Sequence, residues 1–195
     1  MKKALMAEAN LILASKSPRR AELLKQIGLQ FVVRSSDIDE IAFSGESADK
    51  FVERMAFEKA RACEADPQTI VLAADTIVEL DGAILGKPSD RAAGISMLQR
   101  LSGRSHRVLT GVVVVKGEAR SQCVVKTSVR FREIDQGEAA RYWDSGEPKD
   151  KAGGYGIQGL GGVFVAELTG SYSNVMGLPI FETAQLLVAN GIKVL

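Results

Sequence analysis

The first clear pattern in the chain is a short apolar run followed by a helical one. Residues 11–14 read Leu-Ile-Leu-Ala, which predicts a buried strand. Ser17 and Pro18 come next and are typical of an N-cap and a first helical residue. Leucines then recur at helical spacing until Gly28. The sequence therefore predicts a strand, a tight turn and a helix, and a second helix over residues 47–65.

The most apolar stretch of the first half predicts another buried strand. It covers residues 70–74 and places Asp75 at its end. Two apolar segments then flank Asp81 and Gly82, a dipeptide that strongly favours a two-residue hairpin. A helix capped by serine or aspartate is expected next, ending near residue 101.

The second half alternates long apolar strands with amphipathic helices. Residues 106–115 and 123–131 predict strands of a second sheet region. A helix over residues 135–145 begins with a capping-box pattern, residues 163–168 predict a strand, and a final helix covers residues 179–189. Strands and helices mixed in this order predict a mixed α/β fold in roughly two lobes.

Composition and charge narrow the class of protein. The 195 residues can bury a core, as one large domain or as two small lobes. A net charge of +1 argues against a nucleic-acid partner, so any anion site must be local. No apolar run is long enough to span a membrane, and the stretch after the N-terminal Met-Lys-Lys is too polar for an export signal. We therefore expect a cytoplasmic protein with no membrane partner, in which Cys63 and Cys123 are apolar fillers.

A glycine-rich stretch is the most distinctive motif. Gly154, Gly156 and Gly159 match the spacing Gly-x-Gly-x-x-Gly. A dinucleotide-binding fingerprint needs an apolar strand before the glycines and a helix after them, and neither flank fits. We interpret the stretch as a loop that enters a strand and lets its backbone amides approach an anion such as phosphate. A flexible surface turn is the alternative.

Polar groups also converge at the start of the first predicted helix. Ser15, Ser17, Arg19 and Arg20 lie where the first-turn amides are unpaired and the helix dipole is positive. Serine hydroxyls and guanidinium groups together suit a polyphosphate. The alternative is a capped helix with two solvated arginines.

Asp75 stands directly after a fully apolar pentapeptide. A carboxylate placed there is expected to face a cleft, hold a metal or act as a base, because burial without a partner is costly. A turn residue beside Thr76 is the alternative. Lys59 and Lys87, each taken alone, are expected to be ordinary solvated side chains.

The acidic segment over residues 37–40 is either a solvated loop or a cluster that faces a metal. His106, the only histidine, excludes metal sites built on several histidines, and its place at the head of an apolar strand indicates a structural role. The sequence contains no Gly-x-x-x-x-Gly-Lys-Ser/Thr motif, which excludes a P-loop NTPase.

Four motifs in a fixed order raise the specificity of these signals. They are Ser-x-Ser-Pro-Arg-Arg from residue 15, Ala-Asp-Thr at 74–76, Gly-Lys-Pro at 86–88 and Gly-Tyr-Gly-Ile-Gln-Gly-Leu-Gly-Gly at 154–162. Together they resemble the Maf family, the septum-formation-inhibitor-like nucleotide pyrophosphatases. The resemblance implies one Maf-like domain over residues 1–195, with a fold similar to inosine-triphosphate pyrophosphatases: an elongated mixed sheet in two lobes with a central cleft.

The resemblance also implies a reaction and its residues. A nucleoside triphosphate would be hydrolysed to the monophosphate and pyrophosphate with a divalent metal, Mg or Mn. Asp75 would be the proton acceptor, and Glu40 would sit with the metal or the attacking water. The phosphate-binding residues would be Ser15, Arg20, Lys59 and Lys87.

Three positions divide the family by base preference. This chain has Arg19, Thr76 and Gln158, the pattern of members similar to dTTP/UTP pyrophosphatases, whereas the subgroup acting on 7-methyl-GTP carries Trp, Gln and Glu. The amide of Gln158 offers one donor and one acceptor, which complements the imide edge of uracil or thymine. The expected partner is the nucleotide substrate, and a homodimer is left open. The alternative function is a nucleotide-binding regulator of septum formation without turnover.

Overall fold

The computed structural model describes residues 10–35 and 37–194. The N-terminal residues on which the export-signal argument rested lie outside this range. The strands are β1 (Leu11–Leu13), β2 (Val32–Val33), β3 (Ile70–Leu80), β4 (Ala83–Leu85), β5 (Ser105–Lys116), β6 (Ala119–Phe131) and β7 (Val165–Thr169). The α-helices are α1 (Pro18–Gln26), α2 (Ala48–Arg61), α3 (Arg91–Leu101), α4 (Gln136–Asp144), α5 (Tyr172–Met176) and α6 (Ile180–Ala189). Three short 3-10 helices cover Glu147–Asp150, Ala152–Gly154 and Leu160–Phe164.

All seven strands of the described residues belong to one sheet. Its order is β2-β1-β3-β5-β6-β7, and β4 pairs with β3. β1 runs parallel to β2 and β3, whereas the other pairs are antiparallel. The mixed sheet confirms the predicted α/β class. The expectation of a second sheet is wrong, because β5 pairs with β3 along nearly its whole length.

Local capping and turn signals are confirmed. The Asp90 side chain accepts a hydrogen bond from the amide of Ala93 at the start of α3, and Asp135 accepts one from Glu138 at the start of α4. Asp81 and Gly82 form the hairpin turn between β3 and β4.

Several element bounds differ from the prediction. β6 begins at Ala119 and not at Cys123. α2 ends at Arg61 and not near residue 65. β3 continues through Asp75 to Leu80, because the buried carboxylate has a partner and does not end the strand. β7 begins at Val165, since the glycine-rich segment before it coils as a 3-10 turn.

The apolar core lies at both ends of the sheet and beneath α2. At one end, leucines of β1 and α1 pack with Leu72 and Leu187. At the other end, α3 and α4 cover the sheet, where Phe131 and Phe164 are almost fully buried. The division into two lobes stays a prediction. In the part of the chain that the structure describes, no helix is long and apolar enough to cross a membrane.

Candidate active site

The candidate site lies where one edge of β3 has no strand beside it. β1 pairs with this edge over residues 70–72, and β4 pairs with it over residues 78–80. β5 lines the opposite edge. Among the described residues, no strand covers positions 73–77 on the first edge. Because β1 ends here and turns into α1, the gap opens at the carboxyl end of a parallel strand, where ligands commonly bind in α/β sheets.

Strand alternation sends two consecutive side chains to opposite faces of the sheet. Ala73 and Ile77 pack in the clusters beneath α2, so Asp75, which lies between them in the period of two, faces α2 as well. Ala74 packs in the cluster beneath α1, and Thr76 shares its face. The gap in the sheet therefore connects the polar side chains around Asp75 on the α2 face with those around Thr76 on the α1 face.

On the α2 face, two lysines and two carboxylates alternate. Lys59 Nζ lies 2.6 Å from Asp75 Oδ1 and 2.6 Å from Glu40 Oε1. Lys87 Nζ approaches Glu40 Oε2 at 4.0 Å. The side chains of Asp75 and Lys59 are only 9% and 14% exposed, so water screens their attraction weakly. The structure thus brings together four of the predicted site residues.

Gly111 of β5 is the strand partner of Asp75 and allows α2 to come close to the sheet. A Cβ atom at this position would lie 2.4 Å from the carbonyl oxygen of Val52 in α2. No side chain fits in that space. Lys59 follows Val52 by roughly two helical turns, so the close approach at Gly111 supports the reach of Lys59 to Asp75.

On the opposite face, Arg20 is held by three hydrogen bonds. Its Nε donates to the Gly177 carbonyl at 2.7 Å, Nη1 to Ser15 Oγ at 3.0 Å and Nη2 to Thr76 Oγ1 at 2.9 Å. The residue is 9% exposed. A guanidinium group fixed in this way is preorganised to receive an anion.

Burial and neighbouring charges have opposing effects on the pKa of Arg20 and on the pKa of Glu40. Burial lowers the pKa of Arg20, and the charge of Asp75 partly offsets that effect. Burial by itself would raise the pKa of Glu40, but the hydrogen bond and charge of Lys59, with the charge of Lys87, hold that pKa below its ordinary value. Arg20 stays cationic and Glu40 anionic at neutral pH.

A cavity of about 490 Å³ connects both faces. Its polar part has six cationic side chains and four carboxylates, which are Lys16, Arg19, Arg20, Lys59, Lys87 and Lys151 with Asp37, Glu40, Asp75 and Asp150. Its apolar part is lined by Val78, Val108, Ala152, Tyr155 and Val175. A ligand with both anionic groups and a flat, less polar part matches this mixed lining.

The glycine-rich loop uses its amides internally. Glu147 Oε2 accepts from Leu160 N at 2.8 Å, and Glu147 Oε1 accepts from Gly161 N at 3.0 Å. The hydroxyl of Tyr142 donates to Glu147 Oε1 at 2.7 Å and accepts from Gly156 N at 3.0 Å. The predicted anion cradle therefore holds a carboxylate of the same chain, and the expectation that these amides contact phosphate is wrong.

The three predicted specificity residues occupy different surroundings. Arg19 is half-buried, lines the cavity and donates from Nε to the Met176 carbonyl at 3.4 Å. Thr76 Oγ1 accepts a hydrogen bond from the Arg20 guanidinium. Gln158 is exposed on the glycine-rich loop and is not among the residues that line the cavity. Their role in base recognition stays a prediction.

Sequence reasoning missed Tyr155 as a cavity residue and His106 as its partner. His106 Nε2 lies 2.8 Å from the Tyr155 hydroxyl, and both side chains are buried. Burial lowers the pKa of His106 to about 4, so the imidazole is neutral at pH 7. The predicted structural role of His106 is consistent with these contacts. No local sequence pattern indicates this pair, because Tyr155 lies 49 residues after His106.

The carboxylates of the site suit a metal shared with substrate. Among the described residues, no group of three or more His, Cys, Asp or Glu side chains could hold a metal ion. Mg²⁺ is commonly bound by one or two carboxylates together with substrate phosphates and water. Asp75 and Glu40 supply two carboxylates around Lys59. The donor set therefore fits a divalent cation only if a polyphosphate supplies further ligands.

Curated relatives about 50% identical to this protein cover almost the whole chain. The chain is 50% identical over 182 residues to a dTTP/UTP pyrophosphatase of Symbiobacterium thermophilum. The aligned region covers 93% of this chain and 94% of the relative. It is 51% identical over 188 residues to a dTTP/UTP pyrophosphatase of Hahella chejuensis, with 94% of each chain covered. A solved HAM1 protein from Coxiella burnetii aligns with 20% identity and a TM-score of 0.46, over 62% of this chain and 72% of the other.

The family model described as Maf-like protein matches residues 10–190. This range contains all four motifs and both faces of the cavity. The chain belongs to the Maf family.

Proposed function

We propose that this protein is a nucleoside triphosphate pyrophosphatase that converts dTTP and UTP to the monophosphate and pyrophosphate. The observation that carries the proposal is Asp75, a buried carboxylate that ion-pairs with Lys59 at the gap in the sheet and faces a cavity rich in cations. The printed names of relatives about 50% identical support the choice of substrates.

The polar part of the cavity is the proposed triphosphate site. Arg20 and Ser15 lie at the start of α1, where unpaired amides and the helix dipole favour an anion. Lys59 and Lys87 approach from the other face. These residues offset the negative charge that moves onto the pyrophosphate as the bond between the α and β phosphates breaks.

Asp75 is the proposed base. Its carboxylate accepts a proton from water as the water oxygen attacks the α phosphorus, and Lys59 holds the carboxylate in place. Glu40, on the other side of Lys59, would sit with the metal or with the attacking water. Bound Mg²⁺ or Mn²⁺ would neutralise phosphate charge and polarise the phosphorus centre.

The apolar part of the cavity is the proposed place of the base and sugar. Val78, Val108 and Tyr155 form a wall beside Thr76. Arg19, Thr76 and Gln158 are proposed to select pyrimidines, Gln158 through the donor and acceptor of its amide.

The decisive experiment measures pyrophosphate release from UTP and dTTP, with Mg²⁺ and with EDTA, for wild type and Asp75→Asn. Loss of a general base should lower kcat about 10²–10⁴-fold while nucleotide affinity is largely kept. Asp144→Asn is the matched control, because Asp144 forms an exposed ion pair with Arg91 outside the cavity. Nucleotide binding by the wild type without pyrophosphate release would refute the enzyme and favour a regulatory module.

A further inference from the structure

The carboxylate of Glu147 ties the glycine-rich loop to the end of α4. It accepts hydrogen bonds from the backbone amides of Leu160 and Gly161 and from the hydroxyl of Tyr142, which belongs to α4. The same hydroxyl accepts a hydrogen bond from the amide of Gly156, at the other end of the loop. One carboxylate and one hydroxyl therefore fix the loop at both ends, and we call this set of contacts the Glu147 clamp.

The charge states of the two side chains suit these bonds. Burial by itself would raise the pKa of Glu147, but the hydrogen bonds from the loop amides and from Tyr142 hold that pKa below its ordinary value. Burial and the hydrogen bond to Glu147 raise the pKa of Tyr142. At neutral pH the carboxylate is therefore anionic, and the phenol keeps the proton that it donates. Hydrogen bonds to an ionised group are roughly twice as strong as neutral ones.

Two glycines of the loop leave room for the clamp. A Cβ atom on Gly159 would lie 2.2 Å from Glu147 Oε2, and one on Gly161 would lie 2.5 Å from the Tyr142 hydroxyl oxygen. Contacts this short essentially never occur at a real Cβ atom. The approach of an internal carboxylate and a phenol therefore explains why these two positions are glycine, with no phosphate required.

The clamp fixes the backbone on both sides of Gln158. This residue is exposed and lies between the anchored amides of Gly156 and Leu160. Its neighbour Ile157 packs against the apolar clusters at both ends of the sheet. Tyr155, which directly precedes the loop, lines the cavity. Gln158 is therefore an exposed side chain on a fixed backbone, three residues from the cavity wall.

We propose that Glu147 is a positioning residue that fixes the glycine-rich loop and thereby holds Gln158 in one place for the base of the substrate. Glu147 and Tyr142 are not among the described residues that line the cavity, so the clamp acts through the loop and not on the phosphates. Loss of the clamp should weaken the choice of base and leave the chemical step unchanged. This inference rests on the proposed function, in which Gln158 contacts the base.

The first test compares two nucleotides. Glu147→Gln keeps the size of the side chain but turns an NH₂ group toward a loop amide, so that a donor faces a donor. We expect the ratio of kcat/KM for UTP to kcat/KM for 7-methyl-GTP to fall about tenfold, as for loss of one hydrogen bond to a charged group. KM for UTP should rise while kcat stays within about twofold of wild type. An unchanged ratio, or equal losses for both nucleotides, would overturn the proposal.

Two further variants control this comparison. Asp66 accepts hydrogen bonds from the amides of Gln68 and Thr69 and from the Thr69 hydroxyl, in a turn before β3 and outside the cavity. Asp66→Asn is therefore matched in chemistry and should leave the nucleotide ratio at its wild-type value. Gly159→Ala keeps Glu147 but displaces its carboxylate, so it should lower the ratio as Glu147→Gln does. A folded Gly159→Ala protein with the wild-type ratio would count against the clamp.

A double-mutant cycle shows whether the clamp acts through Gln158. In a Gln158→Ala background, Glu147→Gln should have little further effect on the nucleotide ratio. Additive losses from the two substitutions would refute action through Gln158. If Gln158→Ala by itself leaves the ratio unchanged, base reading by this residue and the present inference both fail, whereas pyrophosphate release by the wild type would keep the proposed enzyme.

Amide hydrogen exchange tests the clamp without turnover. Glu147→Gln should speed exchange of the Leu160 and Gly161 amides by at least about tenfold, whereas Asp66→Asn should affect only its own turn. Unchanged exchange at Leu160 and Gly161 would overturn the proposal. A protein that shows faster exchange and a lowered preference in Kd for UTP over 7-methyl-GTP, but whose wild type releases no pyrophosphate, would refute the enzyme and keep the clamp.

Discussion

Replacement of Gly111 by alanine should separate Lys59 from Asp75 without changing either residue. The new Cβ would lie 2.4 Å from the carbonyl oxygen of Val52, whereas ordinary contacts begin at 3.4 Å. α2 must therefore move outward by about 1 Å at this point. The Lys59 to Asp75 distance of 2.6 Å allows little such movement.

The expected loss has a kinetic and a thermodynamic part. A displacement of about 1 Å in a catalytic arrangement can lower the rate about 10²-fold, so we expect kcat for UTP to fall by about that factor. Overpacking of a close contact costs about 1–3 kcal/mol, and the free energy of unfolding should fall by that amount. Pyrophosphate release at saturating UTP and urea unfolding measure the two parts.

Gly94→Ala is the matched control. Its Cβ would lie 2.2 Å from the ring of Trp143, between α3 and α4 and away from the cavity. This variant should lose stability while kcat of the folded protein stays near wild type. A Gly111→Ala protein that is destabilised but keeps kcat within threefold would refute the link between helix approach and catalysis.

The remaining predictions concern phosphate binding, base choice and pH. Arg20→Ala and Lys87→Ala should lower kcat/KM for UTP and dTTP by similar factors, since neither residue is proposed to contact the base, and a changed preference between the two would contradict this. UTP and dTTP should be hydrolysed at least about tenfold faster than 7-methyl-GTP or ATP. Gln158→Glu should lower the ratio of kcat/KM for UTP to kcat/KM for 7-methyl-GTP. An unchanged ratio would show that Gln158 does not contact the base. Folding lowers the pKa of His106 from 6.5 to about 4. Between these two pH values the unfolded chain binds a proton that the folded chain does not bind. The free energy of unfolding is therefore highest above pH 6.5 and falls as the pH is lowered toward 4. Between pH 7 and 4.5 this amounts to about 2–3 kcal/mol, and urea unfolding of wild type and His106→Gln should show a shallower pH dependence for the variant.

The elements that sequence predicts well are those set by neighbouring residues. Asp90 and Asp135 cap helices through bonds to amides three residues later, and Asp81-Gly82 closes a two-residue hairpin. These interactions need no information from the rest of the chain. The family resemblance implied site roles for Asp75, Lys59, Lys87 and Glu40, which the structure places together.

The errors occur where a distant partner decides the structure. β3 continues through Asp75 because Lys59, on another element, neutralises the buried carboxylate. The glycine-rich loop turns its amides to Glu147, and no local pattern distinguishes that carboxylate from a bound phosphate. Arg20 bonds to a carbonyl 157 residues away. Periodicity reports which face is apolar, but it does not report which polar groups meet.

The alternation of β3 also limits which insertions and deletions the protein can accept. β1 fixes the pairing of residues 70–72, so one extra residue between Leu72 and Asp75 would move every later side chain to the other face. The carboxylate would then face α1 and Arg20, and the threonine would face Lys59. Two extra residues would keep both faces but shift the pair past the gap between β1 and β4. The length of this short segment is therefore as strict a requirement for the site as the identities of Asp75 and Thr76.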